Sequence, residues 1–156
     1  MADSAIQACY AAVYNKLKNG GNAGGRVFPD MGDDSAVDPN LDTWAYWVYN
    51  WSGGGESNQR RKGDANLVLA VKCVSNDLDA AFTGAAQISA LLNNQGVQDI
   101  VPATGAYVTS PLSGGANWVI KTSTQEDVFH LTEVIEETGE TVYHDGAYYR
   151  FIMEAI

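Results

Sequence analysis

The chain has 156 residues, a formal charge of −10 and a pI near 4.3. That length supports one domain able to bury roughly 70 % of the surface its unfolded form exposes, so neither disulfide nor metal is needed as a staple. The acidic balance excludes binding to a phosphate backbone, which depends on clustered Lys and Arg to release counterions.

Met1-Ala2-Asp3-Ser4 carries neither a basic segment nor an apolar signal core, and no apolar run approaches the ~20 residues of a membrane helix. Synthesis and assembly in the cytoplasm, without a membrane, are therefore expected. Ser4 with Gln7 forms a capping-box pair, and Ile6, Tyr10, Val13 and Leu17 recur at helical spacing, which predicts a first helix over 5–18. Asn19-Gly20-Gly21 ends it. A short extended piece, 26–30, leads into a loop over 31–40 that contains Asp33, Asp34, Asp38 and Pro39.

The run from Thr43 to Trp51 is the most informative segment. It packs three of the four tryptophans and two of the eight tyrosines into one strand. At a period of two, Trp44, Tyr46 and Val48 point one way and Ala45, Trp47, Tyr49 and Trp51 the other, so both faces are apolar. A polar loop over 52–65 joins it to 66–74, again apolar on both faces, as a long-looped antiparallel hairpin. Ser75-Asn76-Asp77 offers N-caps for a second helix, in which Leu78, Phe82, Ala85, Ile88, Leu91 and Leu92 form one apolar stripe before Asn93-Asn94.

The segment 97–115 has no sustained periodicity and reads as a surface arm. Then 118–121 and 128–135 read as separate strands, Asp145-Gly146 as a tight turn, and 148–153 as the closing strand. The order predicts a single α+β domain over 1–156, a mostly antiparallel sheet with two helices packed on one face. Two helices leave the second face of such a sheet needing a partner.

No residue pattern points to catalysis, a cofactor or a metal. His130 and His144 lack any HxH or HxxxH neighbour, and no GxSxG elbow is present. Asp30, Asp33, Asp34, Asp38 and Asp42 lack the alternating ladder and closing Glu of a calcium loop. Gly24-Gly25 and Gly53-Gly54-Gly55 lack the spacing of phosphate cradles. Cys9 and Cys73 stand apart among apolar residues and read as reduced core thiols. The exceptional charge feature is Arg60-Arg61-Lys62, which gathers three of nine basic residues in the hairpin loop. It reads either as a solvated tip or as a basic finger for an acidic patch on another subunit. The arm 97–115, with Tyr107 and Leu112, has the same two readings.

Taken together, the helix over 5–18, Arg26-Val27-Phe28-Pro29, the strand ending Val48-Tyr49-Asn50-Trp51, 67–74 running into 78–92, and Tyr148-Tyr149-Arg150-Phe151-Ile152-Met153 resemble the tail terminator, or tail-completion, proteins of long-tailed bacteriophages of the lambda-like kind. The arm and the long C-terminal hairpin depart from that pattern. The resemblance implies a virion protein of the tail and neck: a homohexameric ring that caps the head-proximal end of the tail tube, stops polymerisation and meets the head connector or stopper protein. Genomic DNA would pass through its bore without specific binding, which an acidic protein suits. A ring needs two unlike patches per subunit, and the candidate contacts are Trp44, Tyr46, Trp47, Tyr49, Trp51, Arg60, Arg61, Lys62, Tyr107 and Leu112. Another neck component is the alternative. A carbohydrate-binding module is a further one, since aromatic rows on a sheet also stack on sugars, but such modules are poor in helix.

Overall fold

A computed structural model describes residues 5–20, 26–32, 42–56, 64–93 and 118–155. It contains α1 (Ala5–Gly20), β1 (Val27–Pro29), β2 (Ala45–Glu56), β3 (Asp64–Ser75), α2 (Leu78–Leu92), β4 (Trp118–Val134) and β5 (Thr141–Ala155). The strands form one sheet in the order β1-β2-β3-β5-β4, antiparallel except for the β1/β2 pair. The fold is α+β, with both helices on one face of the sheet.

That face is the core. In β2 it takes Trp47 and Tyr49, in β3 Leu67, Leu69, Val71 and Cys73, and in β5 Ala147, Tyr149, Phe151 and Met153. The alternation follows directly from the pleat. From above, α1 contributes Ala5, Ala8, Cys9, Val13 and Leu17, and α2 contributes Ile88 and Leu92. The two cysteines are free and buried, as their apolar settings predicted. Burial pushes the Cys73 thiol up to about 12 and the Cys9 thiol upward as well.

Asp77 caps α2, its carboxylate accepting from the Ala80 N–H at 2.9 Å. The residues of α2 that meet the sheet are Ala81, Gly84, Ile88 and Leu92. Leu78 and Phe82, expected in the buried stripe, stand outward instead, because the small residues let the helix lie close and the large ones fall to one side. A Cβ on Gly84 would sit 2.4 Å from Cys73 Sγ and 2.7 Å from Cys73 Cβ.

Three further expectations are corrected. Residues 52–56, expected in a loop, continue β2 and pair with 65–68 after a register shift between Trp51 and Gly53. The two C-terminal strands expected over 118–121 and 128–135 are one long strand, with shifts at 120/122 and 125/128. Asp145-Gly146 is not a turn but the middle of β5, where a Gly146 Cβ would lie 2.2 Å from the Val71 carbonyl oxygen. The reversal comes earlier, over 135–140, with the Ile135 carbonyl accepting from the Gly139 N–H at 2.7 Å. Ser4, the expected cap of α1, lies outside the described residues.

Gly84→Ala should lower stability by about 1–2 kcal/mol. The overpacking penalty of about 1–3 kcal/mol outweighs the helix-propensity gain of up to ~1 kcal/mol. Adding Cys73→Ala should recover part of the loss. Urea midpoints of the single and double variants measure both effects.

Candidate functional site

Of the aromatic strand, Trp47 and Tyr49 are spent on the core and lie under the helices. Tyr49 packs edge-on against Tyr10 of α1, with ring centroids 5.0 Å apart. Trp44 is buried on the opposite face. Its N–H donates to Asn76 Oδ1 at 3.0 Å, its carbonyl accepts from Ser75 Oγ at 2.7 Å, and its indole donates to Glu140 at 3.3 Å. Tyr46, half-buried, stacks beside it at 5.8 Å. Trp51 remains outward, with 47 % of its surface exposed. Arg60, Arg61, Lys62, Tyr107 and Leu112 lie outside the described residues, as do Asp33, Asp34, Asp38 and the arm 97–115.

The exposure of Trp51 follows from its place in the sheet. β1 pairs β2 only as far as Pro29 with Tyr49. Beyond that row β2 is itself the edge of the described sheet. The Trp51 N–H donates to Tyr10 Oη at 2.8 Å, and the Tyr10 hydroxyl in turn donates to Asp30 at 2.9 Å. Asp30 adopts a left-handed conformation, φ 65°, and its N–H closes on the Tyr49 carbonyl at 2.8 Å. This knot ties α1, the end of β1 and β2 together, and holds Trp51 against the rim.

The described residues cover the second face of the sheet only in part. The 135–140 turn brings Ile135 onto a small cluster of Trp44, Val48, Val74 and Val142. Farther along, Leu131, Tyr148 and Ile152 are exposed, and Phe129 leans on Tyr148 at 5.3 Å. Arg150, ion-paired with Glu126 and donating to Asn66 at 2.6 Å, borders this patch.

At the opposite edge from Trp51, a groove of about 410 Å3 lies between α2 and β4. Phe82, Ala85 and Val128 form its apolar walls, with Gln125 and His130 as the polar groups. Phe82 is 51 % exposed and Val128 more so. His130 sits across the strand pair from Asp145, and its Nδ1 lies 2.6 Å from the Asp145 carboxylate, while Nε2 lies 3.1 Å from the Thr132 hydroxyl. A carboxylate accepts, so the ring meets Asp145 through an Nδ1–H that donates, which fixes the ring's orientation in the groove. Deeper in the groove, Gln125 Oε1 accepts from Ser89 at 2.7 Å and from the Tyr149 hydroxyl at 3.3 Å. Burial pushes the Tyr149 hydroxyl up to about 12.

Sequence reasoning missed this groove. Its one visible signal was the pair Leu78 and Phe82 on a helix whose other apolar stripe, Ala81, Gly84, Ile88 and Leu92, is the smaller and flatter one.

The chain is similar in structure to a chain in the virion of a native gene transfer agent (GTA) particle: 92 % of each chain is covered, the TM-score is 0.50 and 17 % of residues are identical. At that identity the likeness is one of fold. No protein-family model matches the chain, and no curated protein sequence is similar to it. Among the described residues no group of three or more His, Cys, Asp or Glu could hold a metal ion, and no helix is long and apolar enough to cross a membrane.

His144 gives this region a pH dependence. It points to the second face, opposite Val74; among the described residues neither ring nitrogen has a hydrogen-bond partner, and Nε2 lies 3.9 Å from the Glu133 carboxylate. Burial holds its pKa below the ordinary 6.5, and Lys72 lowers it further against the opposing pull of Glu133 and Asp145. A depressed histidine contributes stability above pH 6.5 that is lost as pH falls, since the unfolded chain takes up the proton first. The urea midpoint should therefore drop between pH 7 and pH 5, and His144→Phe should flatten that drop.

Proposed function

We propose that this chain is a structural virion protein of a tailed phage-like particle, a tail terminator that acts by binding and not by catalysis. The observation that carries the reading is the shared fold, over 92 % of each chain, with a component of a gene transfer agent virion. The ordered resemblance of the sequence to tail-completion proteins narrows it to the neck. In this reading copies of the chain close into a ring on the last ring of the tail tube. One ring face matches the tube and the other does not, so no further tube subunit adds, and the free face meets the head connector or stopper.

Two properties of the molecule support such a role. The sheet keeps exposed apolar side chains on its second face and at both edges, namely Tyr148 and Ile152, Phe82 and Val128, and Trp51, which is surface of the kind that assembly covers. The net charge of −10 also suits a bore through which DNA slides without sticking.

Light scattering of the purified protein, followed by electron microscopy, tests this. The expected result is a ring, either in solution or on addition of tail tubes from the particle that encodes the chain, and tubes so capped should stop growing. A protein that stays monomeric and leaves tube growth unchanged would exclude a terminator and leave the alternative of another neck component.

A further inference from the structure

One cross-strand row on the helix-bearing face breaks the pattern of the core. Trp47 aligns with Cys73, Cys73 with Asp145 and Asp145 with His130. The first two are core residues beneath Gly84 of α2, and alternation along β5 places Asp145 on the same side as Ala147, Tyr149 and Phe151. A carboxylate therefore stands where the sheet elsewhere carries an apolar side chain, and only 4 % of its surface is exposed. Of the other buried polar side chains among the described residues, Ser75 donates to the Trp44 carbonyl and Ser123 to that of Leu92. Asp145 is served at one oxygen alone. Its Oδ1 accepts from His130, while Oδ2 has no hydrogen-bond partner among the described residues. An enclosed carboxylate oxygen without a donor costs free energy, and such an atom calls for the group that completes it.

Asp145 and His130 both line the α2/β4 groove, so the incomplete carboxylate belongs to that site and not to sealed core. No Lys or Arg lines the groove. Asp127 lies in the register shift between Gln125 and Val128, two residues of its lining, and β4 as a whole carries Glu126, Asp127 and Glu133 against Lys121. Lys121 itself lies 3.7 Å from the Glu154 carboxylate. The groove thus combines a carboxylate short of a donor with the apolar walls Phe82, Ala85 and Val128 and with an acidic strand. That combination fits a cation carried on an aliphatic stem.

We propose that the groove is a socket for an arginine side chain of a partner protein, its stem against Ala85 and Val128 and a guanidinium N–H donating to Asp145 Oδ2. Guanidinium suits the site better than ammonium because it is planar, weakly hydrated and stacks on aromatic faces. Phe82, whose ring leans on His130 with centroids 5.6 Å apart, supplies such a face. Oδ2 is closed to bulk water, and Phe82, half of whose surface is in solvent, is the wall that turns aside as the head group enters. With His130 on Oδ1 and the arginine on Oδ2, both carboxylate oxygens are satisfied. A second copy of this chain would bring the same net charge of −10, so the occupant belongs to a different and more basic protein. The contact stands apart from the ring reading, since it needs an arginine-bearing neighbour and no self-association.

The test titrates the isotope-labelled chain with N-acetyl-arginine N-methylamide and with its citrulline counterpart, which has the same length and shape but a neutral head, and follows both by NMR. The arginine probe should shift the resonances of Val128, His130 and Phe82 and saturate in the millimolar range, as suits one side chain detached from its protein. The citrulline probe should bind roughly 10-fold more weakly or worse, the loss expected when a charge-assisted hydrogen bond becomes a neutral one. Phe82→Ala, at an exposed position, should weaken arginine binding about 3-fold. Asp145→Asn should bring the two probes to equal affinity, and if that variant does not fold, the comparison of probes on the unmodified chain decides alone. Equal binding of arginine and citrulline to the unmodified chain overturns the proposal. So do shifts that map away from the groove, and so does an absence of saturable binding. None of these outcomes bears on whether the chain forms rings.

Discussion

The distance at which α2 rests on the sheet governs the rest of this structure. Gly84 has no side chain because Cys73 and the Trp47 indole occupy the space a Cβ would need. That close seating lets one short helix bury β3 and β5 beneath Ala81, Ile88 and Leu92, while α1 covers β1 and β2 and also meets α2 and β4. Both helices are thereby committed to one face. A five-stranded sheet has two, and among the described residues the 135–140 turn covers part of the second. The same seating turns Leu78 and Phe82 outward. A larger residue at position 84 would lift the helix and draw those side chains toward the core, so the tight face and the exposed groove wall have one cause.

Much of this was legible in the residues. The N-cap candidate Asp77, the helical spacing and the Asn93 stop defined α2 over 78–92, and the two apolar strands identified the central hairpin. What composition could not resolve was which aromatic residues faced the helices. Both sets in the aromatic strand are apolar, and the choice depends on pairing: Val27 aligns with Trp47 and Trp47 with Cys73, so Trp47 and Tyr49 go to the core. The Asp145-Gly146 pair misled because its dipeptide favours turns in isolation, whereas in the folded chain Gly146 is selected by the approach of the Val71 carbonyl. The bulges of β4 hid a single strand behind two broken periodicities. The groove was hardest to see, since it joins Phe82 to Val128 and His130 across a long stretch of sequence.

The electrostatics carry information that total charge conceals. An overall excess of carboxylates explains why the protein would repel nucleic acid, yet it says nothing about self-association. Once the fold assigns residues to edges, both carry an excess of acids: Asp30, Asp42 and Glu56 against Arg26 along 26–32 and 42–56, and Glu126, Asp127 and Glu133 against Lys121 along β4. Copies that meet edge to edge must offset a repulsion that acts over about 10 Å and that salt screens.

Strand addition is the usual hazard of open sheet edges, and part of each edge of the described sheet is built against it. At one, β1 is only three residues long, ends in Pro29, which has no N–H to offer, and is followed by Asp30 in a left-handed conformation. At the other, β4 is interrupted twice by register shifts and carries Glu126 and Asp127 at the second of them. Where β1 or the shifted rows of β4 form the edge, a continuous ladder cannot be added, and a neighbour there must be held by side chains. Beyond Tyr49, where β2 is the edge of the described sheet, the main chain is not blunted in this way. For a protein whose proposed role is to end a polymer, blunting generic strand addition over part of each edge favours contacts made by side chains, which are specific to one partner where a backbone ladder accepts any strand.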